Sequence, residues 1–200
     1  MASSVLGIKE MASRVILASA SPRRKELLEQ VGVEFEVYPA NIDESQHLNE
    51  HIDQYVQRVA IAKAQYILNQ FPDAIVIAAD TTVGIDQHIL TKPNDEDDAL
   101  RMWRLLSGRS HQVKTTVVIA NKYKIFHDTV STLVYFKVLD ETEMRQYWQT
   151  GEPCDKAAGY AIQGRAGAWV TRIEGSYSNV VGLPLYETVQ MLQQAIAQAE

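Results

Sequence analysis

Cysteine is nearly absent from this chain: Cys154 is the single one among 200 residues. An internal disulfide framework is therefore excluded, and the usage suits a reducing compartment. Long apolar runs are missing too, and none approaches the roughly 18 residues needed to span a membrane. Positive charge is in deficit, with 19 Lys and Arg against 25 Asp and Glu and a formal net charge of -6. That balance argues against the basic surface that non-specific nucleic-acid binding requires. The five histidines show no HExxH spacing and Cys154 has no cysteine partner, so a zinc site is not indicated. Neither a Walker A loop nor a GxGxxG fingerprint occurs, so any nucleotide site is of another design.

What remains is the composition of a soluble globular protein, 46% hydrophobic and 22% charged. Two hundred residues suffice for one domain with a real core. Residues 1–13 are a polar mix without the apolar centre of a secretory signal. They read as a flexible extension before a single domain over residues 14–200, expected in the cytoplasm.

Periodicity predicts a mixed α/β chain. A strand at Val15–Ala18 leads into a helix carrying Leu27, Leu28 and Val31 and stopped by Gly32. A short strand follows at Glu34–Tyr38, then a polar loop through Asn41, Asp43, Glu44 and Ser45. Ile52, Tyr55, Val56, Val59 and Ile67 share one face of a long helix. The unbroken apolar run Ala74–Ala79 reads as a central strand ending in Asp80-Thr81-Thr82. Beyond it the pattern predicts a hairpin around Asp86-Gln87 and a helix at Asp95–Leu106. Two strands follow, the second with Val130, Val134, Phe136 and Val138 on one face. A short helix with Met144, Tyr147 and Trp148, a loop-rich stretch from Gly151 to Gly167, a strand at Ala168–Ile173 and a C-terminal helix complete the order.

Candidate chemistry starts at Ser19-Ala20-Ser21-Pro22-Arg23-Arg24. Ser21 suits a helix N-cap and Pro22 the first helical position. Two arginines then stand where the helix dipole favours anions and disfavours cations by a few tenths of a kcal/mol. The segment is either an anion site built from backbone donors, hydroxyls and guanidinium forks, or a surface helix start with solvated arginines. Asp80, closing a buried strand, is a candidate general base, or else a turn aspartate bonding its own backbone. Glu44 could join it around a divalent cation or be a solvated loop residue. Lys63 projects with the apolar stripe of its helix, so its ammonium either snorkels out or enters a cleft. Lys92 adds a cation ahead of the next helix. The acidic run Asn94-Asp95-Glu96-Asp97-Asp98 is explained by the helix dipole rather than by a calcium loop. Gln163 offers a donor and an acceptor side by side but reads, on residues alone, as an ordinary polar loop residue. The hydroxyls of Gly175-Ser176-Tyr177-Ser178-Asn179 suit either a ligand or the capping of short helices.

Together, Leu17 through Arg24, Asn41-Ile42-Asp43-Glu44, Ala62-Lys63-Ala64, Ala79-Asp80-Thr81, Lys92-Pro93, Leu106-Ser107-Gly108, Gly151-Glu152-Pro153, Ile162-Gln163-Gly164 and Gly175-Ser176-Tyr177 with Val181-Gly182-Leu183-Pro184 resemble the Maf family of nucleoside triphosphate pyrophosphatases. They run in family order over nearly the whole chain from Arg14 on. The resemblance implies a two-lobed mixed sheet with flanking helices and a central cleft, related in fold to inosine triphosphate pyrophosphatases. It also implies hydrolysis of a nucleoside triphosphate to monophosphate and pyrophosphate with a divalent cation, Mg²⁺ or Mn²⁺, and it suggests a homodimer. Asp80 falls on the family's general base, with Glu44 and Asp80 as the acidic metal positions. Ser19, Arg24, Lys63 and Lys92 fall on triphosphate positions, and Arg23, Thr81 and Gln163 on specificity positions. These three match the branch that prefers dTTP and UTP. The branch preferring 7-methyl-GTP has Trp, Gln and Glu there, and remains an alternative alongside a non-catalytic nucleotide-binding regulator of cell division. One departure is Ala158-Gly159, where the family commonly has Gly-Ala.

Overall fold

The strand stretches marked by apolar runs become the interior of a mixed α/β structure, in a computed structural model that describes residues 14–198. The extension expected over residues 1–13 lies outside the described residues. Two compact units are distinguished. The first comprises the residues up to Asp80, Thr115–Thr129 and the chain from Gly182 on, and the second comprises Thr81–Lys114 and Val130–Val181.

In the first unit, β1 (Val15–Leu17) runs parallel to β2 (Glu36–Val37) and to the start of β3 (Ile75–Ile85), with Ile16 opposite both Glu36 and Val76. Parallel neighbours require crossovers, and α1 (Pro22–Gln30) and α2 (Ile52–Gln70) supply them. Ala60, Ala64 and Ile67 of α2 join Ile16, Ala18, Val76 and Ala78 in one buried cluster. The even-numbered positions of β3 therefore share the face that meets α2. Gly32, at φ +72°, lets the chain turn after α1, and its N–H and that of Val33 satisfy the Glu29 and Leu28 carbonyls. The final helix of the chain, α6 (Leu185–Ala197), belongs to this unit.

In the second unit, β3 closes a hairpin with β4 (His88–Leu90) through Asp86 at φ +53°. Helix α3 (Glu96–Leu106) starts on Asp95, whose carboxylate accepts from the Asp98 N–H, with Glu96, Asp97 and Asp98 in its first turn. The acidic run is thus a helix start. Trp103 of α3 is fully buried against Tyr147 and Trp169. The unit also holds α4 (Glu141–Trp148), β7 (Val170–Glu174), α5 (Tyr177–Val181) and parts of β5 (Ser110–Ala120) and β6 (Ile125–Phe136). The loop-rich stretch is wound into three short 3-10 turns, Glu152–Asp155, Ala157–Gly159 and Arg165–Trp169. Ala158 stands there in the left-handed region, φ +54°, where the family commonly has glycine. The strand order is β2-β1-β3-β5-β6-β7, with β4 on β3.

Four local expectations are corrected. The strand expected over Glu34–Tyr38 shrinks to Glu36–Val37, both exposed. The strand expected to end at Asp80 continues to Ile85, because Thr82, Val83 and Ile85 are β-branched and pair onward into the hairpin. Val138 does not join the buried face of β6. The register with β7 shifts at Tyr135/Phe136, the strand ends, and Val138 is 79% exposed. The Ser21 hydroxyl makes no capping bond although Ser21 occupies the N-cap position. No described helix is long and apolar enough to cross a membrane.

Candidate active site

Lys63 is the centre of the site in the first unit. It lies on the apolar face of α2, is 8% exposed, and does not snorkel to water. Its Nζ donates to Asp80 Oδ1 at 2.9 Å and pairs with Glu44 Oε1 at 3.0 Å. Asp80 is itself 6% exposed, whereas the Glu44 side chain is nearly half exposed. Strand alternation explains the meeting: Asp80 follows Val76 and Ala78 on the face that packs against α2. A buried ammonium without partners would be strongly destabilising, and two carboxylates remove that penalty.

Glu44 is brought to Lys63 by a braced loop. The Tyr55 hydroxyl, about two turns of α2 before Lys63, donates to the Glu44 carbonyl at 3.0 Å. Burial first, then the Asp80 and Glu44 charges, push the Tyr55 phenol up to about 12. Arg58 grips the same loop, with Nη2 donating to the Ser45 carbonyl at 2.9 Å and Nε to Glu50 Oε1 at 2.6 Å. That guanidinium holds the Glu50 carboxyl down at about 2. Neither Tyr55 nor the Arg58–Glu50 pair was singled out by sequence. Tyr55 was legible only as a member of the apolar stripe, and its hydroxyl gave no separate signal.

The Ser-x-Ser-Pro-Arg-Arg turn is built around Ser19 rather than Ser21. Ser19 is buried, and its Oγ accepts from the Ser21 N–H at 3.2 Å and from Arg24 Nη1 at 3.1 Å. Arg24 Nε donates to the Gly182 carbonyl at 2.8 Å, so a backbone group from just before α6 aims the guanidinium. Burial draws Arg24 below its ordinary value, opposed by the field of Asp80, deepened by Arg23 and opposed again by Glu44. Arg24 thus lies within electrostatic reach of both carboxylates. The first turn of α1 carries no acidic residue. No side chain of that turn offsets the positive end of the helix dipole.

Ser19, Arg23, Arg24, Glu44, Lys63 and Asp80 thus all belong to the first unit, while Thr81, Lys92 and Gln163 belong to the second. Thr81 follows Asp80 directly on β3, and alternation sends its side chain from the opposite face of the strand. Lys92 is exposed just before the buried Pro93, and Gln163 is exposed in the turn between Ala161 and Gly164. The Ser176 hydroxyl accepts from the Asn179 N–H at 3.2 Å, so of the two readings of that segment the structure displays capping. Among the described residues no cluster of three or more His, Cys, Asp and Glu is placed to hold a metal. Two carboxylate oxygens nevertheless converge on one ammonium in Glu44 and Asp80. Such a hard-oxygen pair suits a divalent cation that takes its remaining ligands from phosphate and water.

The chain is also similar to known proteins over nearly its whole length. A protein named dTTP/UTP pyrophosphatase from Acinetobacter baylyi is 50% identical over 181 residues, covering 90% of this chain and 99% of its own. Another of that name from Pseudoalteromonas translucida is 52% identical, covering 92% and 97%. A third, from Colwellia psychrerythraea, is 43% identical, covering 98% and 94%. The structure of the Staphylococcus aureus Ham1 protein aligns with a TM-score of 0.45 at 12% identity, covering 94% of this chain and all of that one. The model of the family described as Maf-like protein matches residues 14–195, and the chain belongs to the Maf family.

Proposed function

We infer that this protein is a dTTP/UTP pyrophosphatase, hydrolysing these nucleotides to the monophosphate and pyrophosphate. The observation that carries the reading is identity of about one half to relatives of that name over nearly the full length of both chains. The three specificity positions support it, with Arg23, Thr81 and Gln163 following the dTTP/UTP pattern rather than Trp, Gln and Glu. Uracil and thymine present a carbonyl beside an N–H, which one amide matches with one donor and one acceptor. A mismatched pairing leaves a buried polar group unsatisfied, at about 1–3 kcal/mol.

In the reaction, Asp80 takes a proton from the attacking water. Lys63 holds that carboxylate in one orientation at 2.9 Å. Arg24 and Ser19, with the open N-terminal turn of α1, receive phosphate oxygens and stabilise the charge that grows on the departing pyrophosphate. Lys92 is assigned to the same charge-stabilising task. Glu44 and Asp80 would hold a divalent cation, which when bound neutralises phosphate charge.

The test is pyrophosphate release by the purified chain across the common nucleoside triphosphates and 7-methyl-GTP, with and without a chelator. dTTP and UTP are expected to be the preferred substrates, and chelation to abolish turnover. Asp80→Asn should lower kcat by about 10²–10⁴-fold while calorimetric dTTP binding persists. Preference for 7-methyl-GTP would overturn the substrate reading, and near-wild-type turnover of the variant would remove Asp80 from the role of base.

A further inference from the structure

Gln163 sits in a turn that is fastened on both sides to one pair of side chains. On the N-terminal side, the Ala161 N–H donates to the Tyr147 hydroxyl oxygen at 3.3 Å. On the C-terminal side, the Arg165 N–H donates to both carboxylate oxygens of Glu152, at 3.1 and 3.2 Å. The Tyr147 hydroxyl closes the circuit by donating to Glu152 Oε1 at 2.7 Å. Residues 161–165 are thus tied down at each end by a chain of two side chains, and Gln163 is the middle of the span.

The anchors are themselves immobilised. Tyr147 is 5% exposed and packs against Trp103 and Trp169. The Glu152 N–H donates to Thr150 Oγ1 at 3.2 Å, and its carbonyl accepts from Lys156 Nζ at 2.8 Å. A Cβ at Gly164 would overlap the Glu152 carboxylate, so the close approach of carboxylate to turn needs glycine there. Tyr160, just before the turn, shares a 2.7 Å hydrogen bond with His111 Nε2. Hydrogen bonds between a carboxylate and backbone N–H groups are among the stronger kind, and recognition groups must be held to within about 0.5 Å to work.

We propose that Glu152 and Tyr147 are positioning residues for base recognition, holding the 161–165 turn in one conformation so that the Gln163 amide meets the pyrimidine already aimed. The proposal rests on the reading of Gln163 as the residue that recognises the base. Neither Glu152 nor Tyr147 takes part in the chemistry. Their loss removes pre-organisation, which weakens binding of the correct base and discrimination against others while leaving the chemical step.

The experiment compares Glu152→Ala, Glu152→Gln, Tyr147→Phe and Gln163→Ala in the full chain. Pyrophosphate release is measured with dTTP, UTP and dCTP, and amide hydrogen exchange at residues 161–165 without nucleotide. Glu152→Ala and Tyr147→Phe are expected to raise KM for dTTP roughly tenfold at little-changed kcat, to reduce the preference over dCTP, and to speed exchange at Ala161 and Arg165. Glu152→Gln keeps an acceptor oxygen for the Arg165 N–H and is expected to restore most of the preference. Wild-type KM and preference in both Glu152→Ala and Tyr147→Phe, with preference lost in Gln163→Ala, would overturn the positioning role alone. Wild-type preference in Gln163→Ala would overturn the base reading and the proposal with it. Should Glu152→Ala not fold, Tyr147→Phe and Glu152→Gln decide the matter by the same readouts.

Discussion

At the scale of single residues, the site depends on how Glu44 is delivered to Lys63. Asp80 arrives on a buried strand and has little freedom, but Glu44 is carried by a loop without secondary structure. What fixes it is the Tyr55 hydroxyl on its carbonyl and the Arg58 guanidinium on the neighbouring Ser45 carbonyl. Tyr55→Phe keeps the packing of the ring and deletes one hydrogen bond. It should lower stability by about 1 kcal/mol and reduce kcat for dTTP severalfold, as urea unfolding and steady-state kinetics would show. An unchanged rate would confine the hydroxyl to stability. The site was half legible from sequence for a related reason. Lys63 announced itself as a cation on an apolar face, and Asp80 as a carboxylate after an apolar run. That both meet, with Glu44 as a third member, depends on the docking of residues 41–50 against α2, and no local pattern encodes that approach.

At the scale of elements, two helix starts behave differently at the N-cap. Asp95 accepts from the Asp98 N–H at 2.8 Å, while Ser21 occupies the same position of α1 with no side-chain bond to the helix. The hydroxyl that serves the α1 turn is that of Ser19, two residues earlier, and it is shared with Arg24. Asp95→Ala should therefore cost about 1 kcal/mol of stability, and Ser21→Ala much less. Equal losses in denaturant midpoints would contradict the assignment. Element type and order were readable because burial repeats with the helix or strand period, as on α2 and β3. Element ends were not. β3 outruns Asp80 because its hairpin partner extends the ladder, and β6 stops before Val138 because its register with β7 slips. Both causes lie on another strand.

For the molecule as a whole, acid is the informative perturbation. His111 is buried against Phe136 and Tyr160, and burial alone drags its imidazole down to about 3 from an ordinary 6.5. Below 6.5 the unfolded chain binds a proton that the folded chain refuses, so stability is full above that value and falls as pH drops toward 3. The other four histidines are exposed. Between pH 7 and 5.5 the wild type should lose about 1 kcal/mol through this group, and His111→Gln should lose much less over the same interval. Matching slopes for the two proteins would place the acid sensitivity elsewhere. The first unit has a different whole-molecule property, since it is drawn from three separated stretches of chain. Arg24 is aimed by the carbonyl of Gly182, 158 residues further on. A ribosome adding about 5–20 residues per second delivers that carbonyl on the order of ten seconds after the arginine. A nascent chain short of Gly182 already carries Ser19, Lys63 and Asp80, yet it lacks the carbonyl that holds the Nε side of the Arg24 guanidinium. The proposed phosphate ligand is therefore expected to gain its complete set of supports only in the last part of translation.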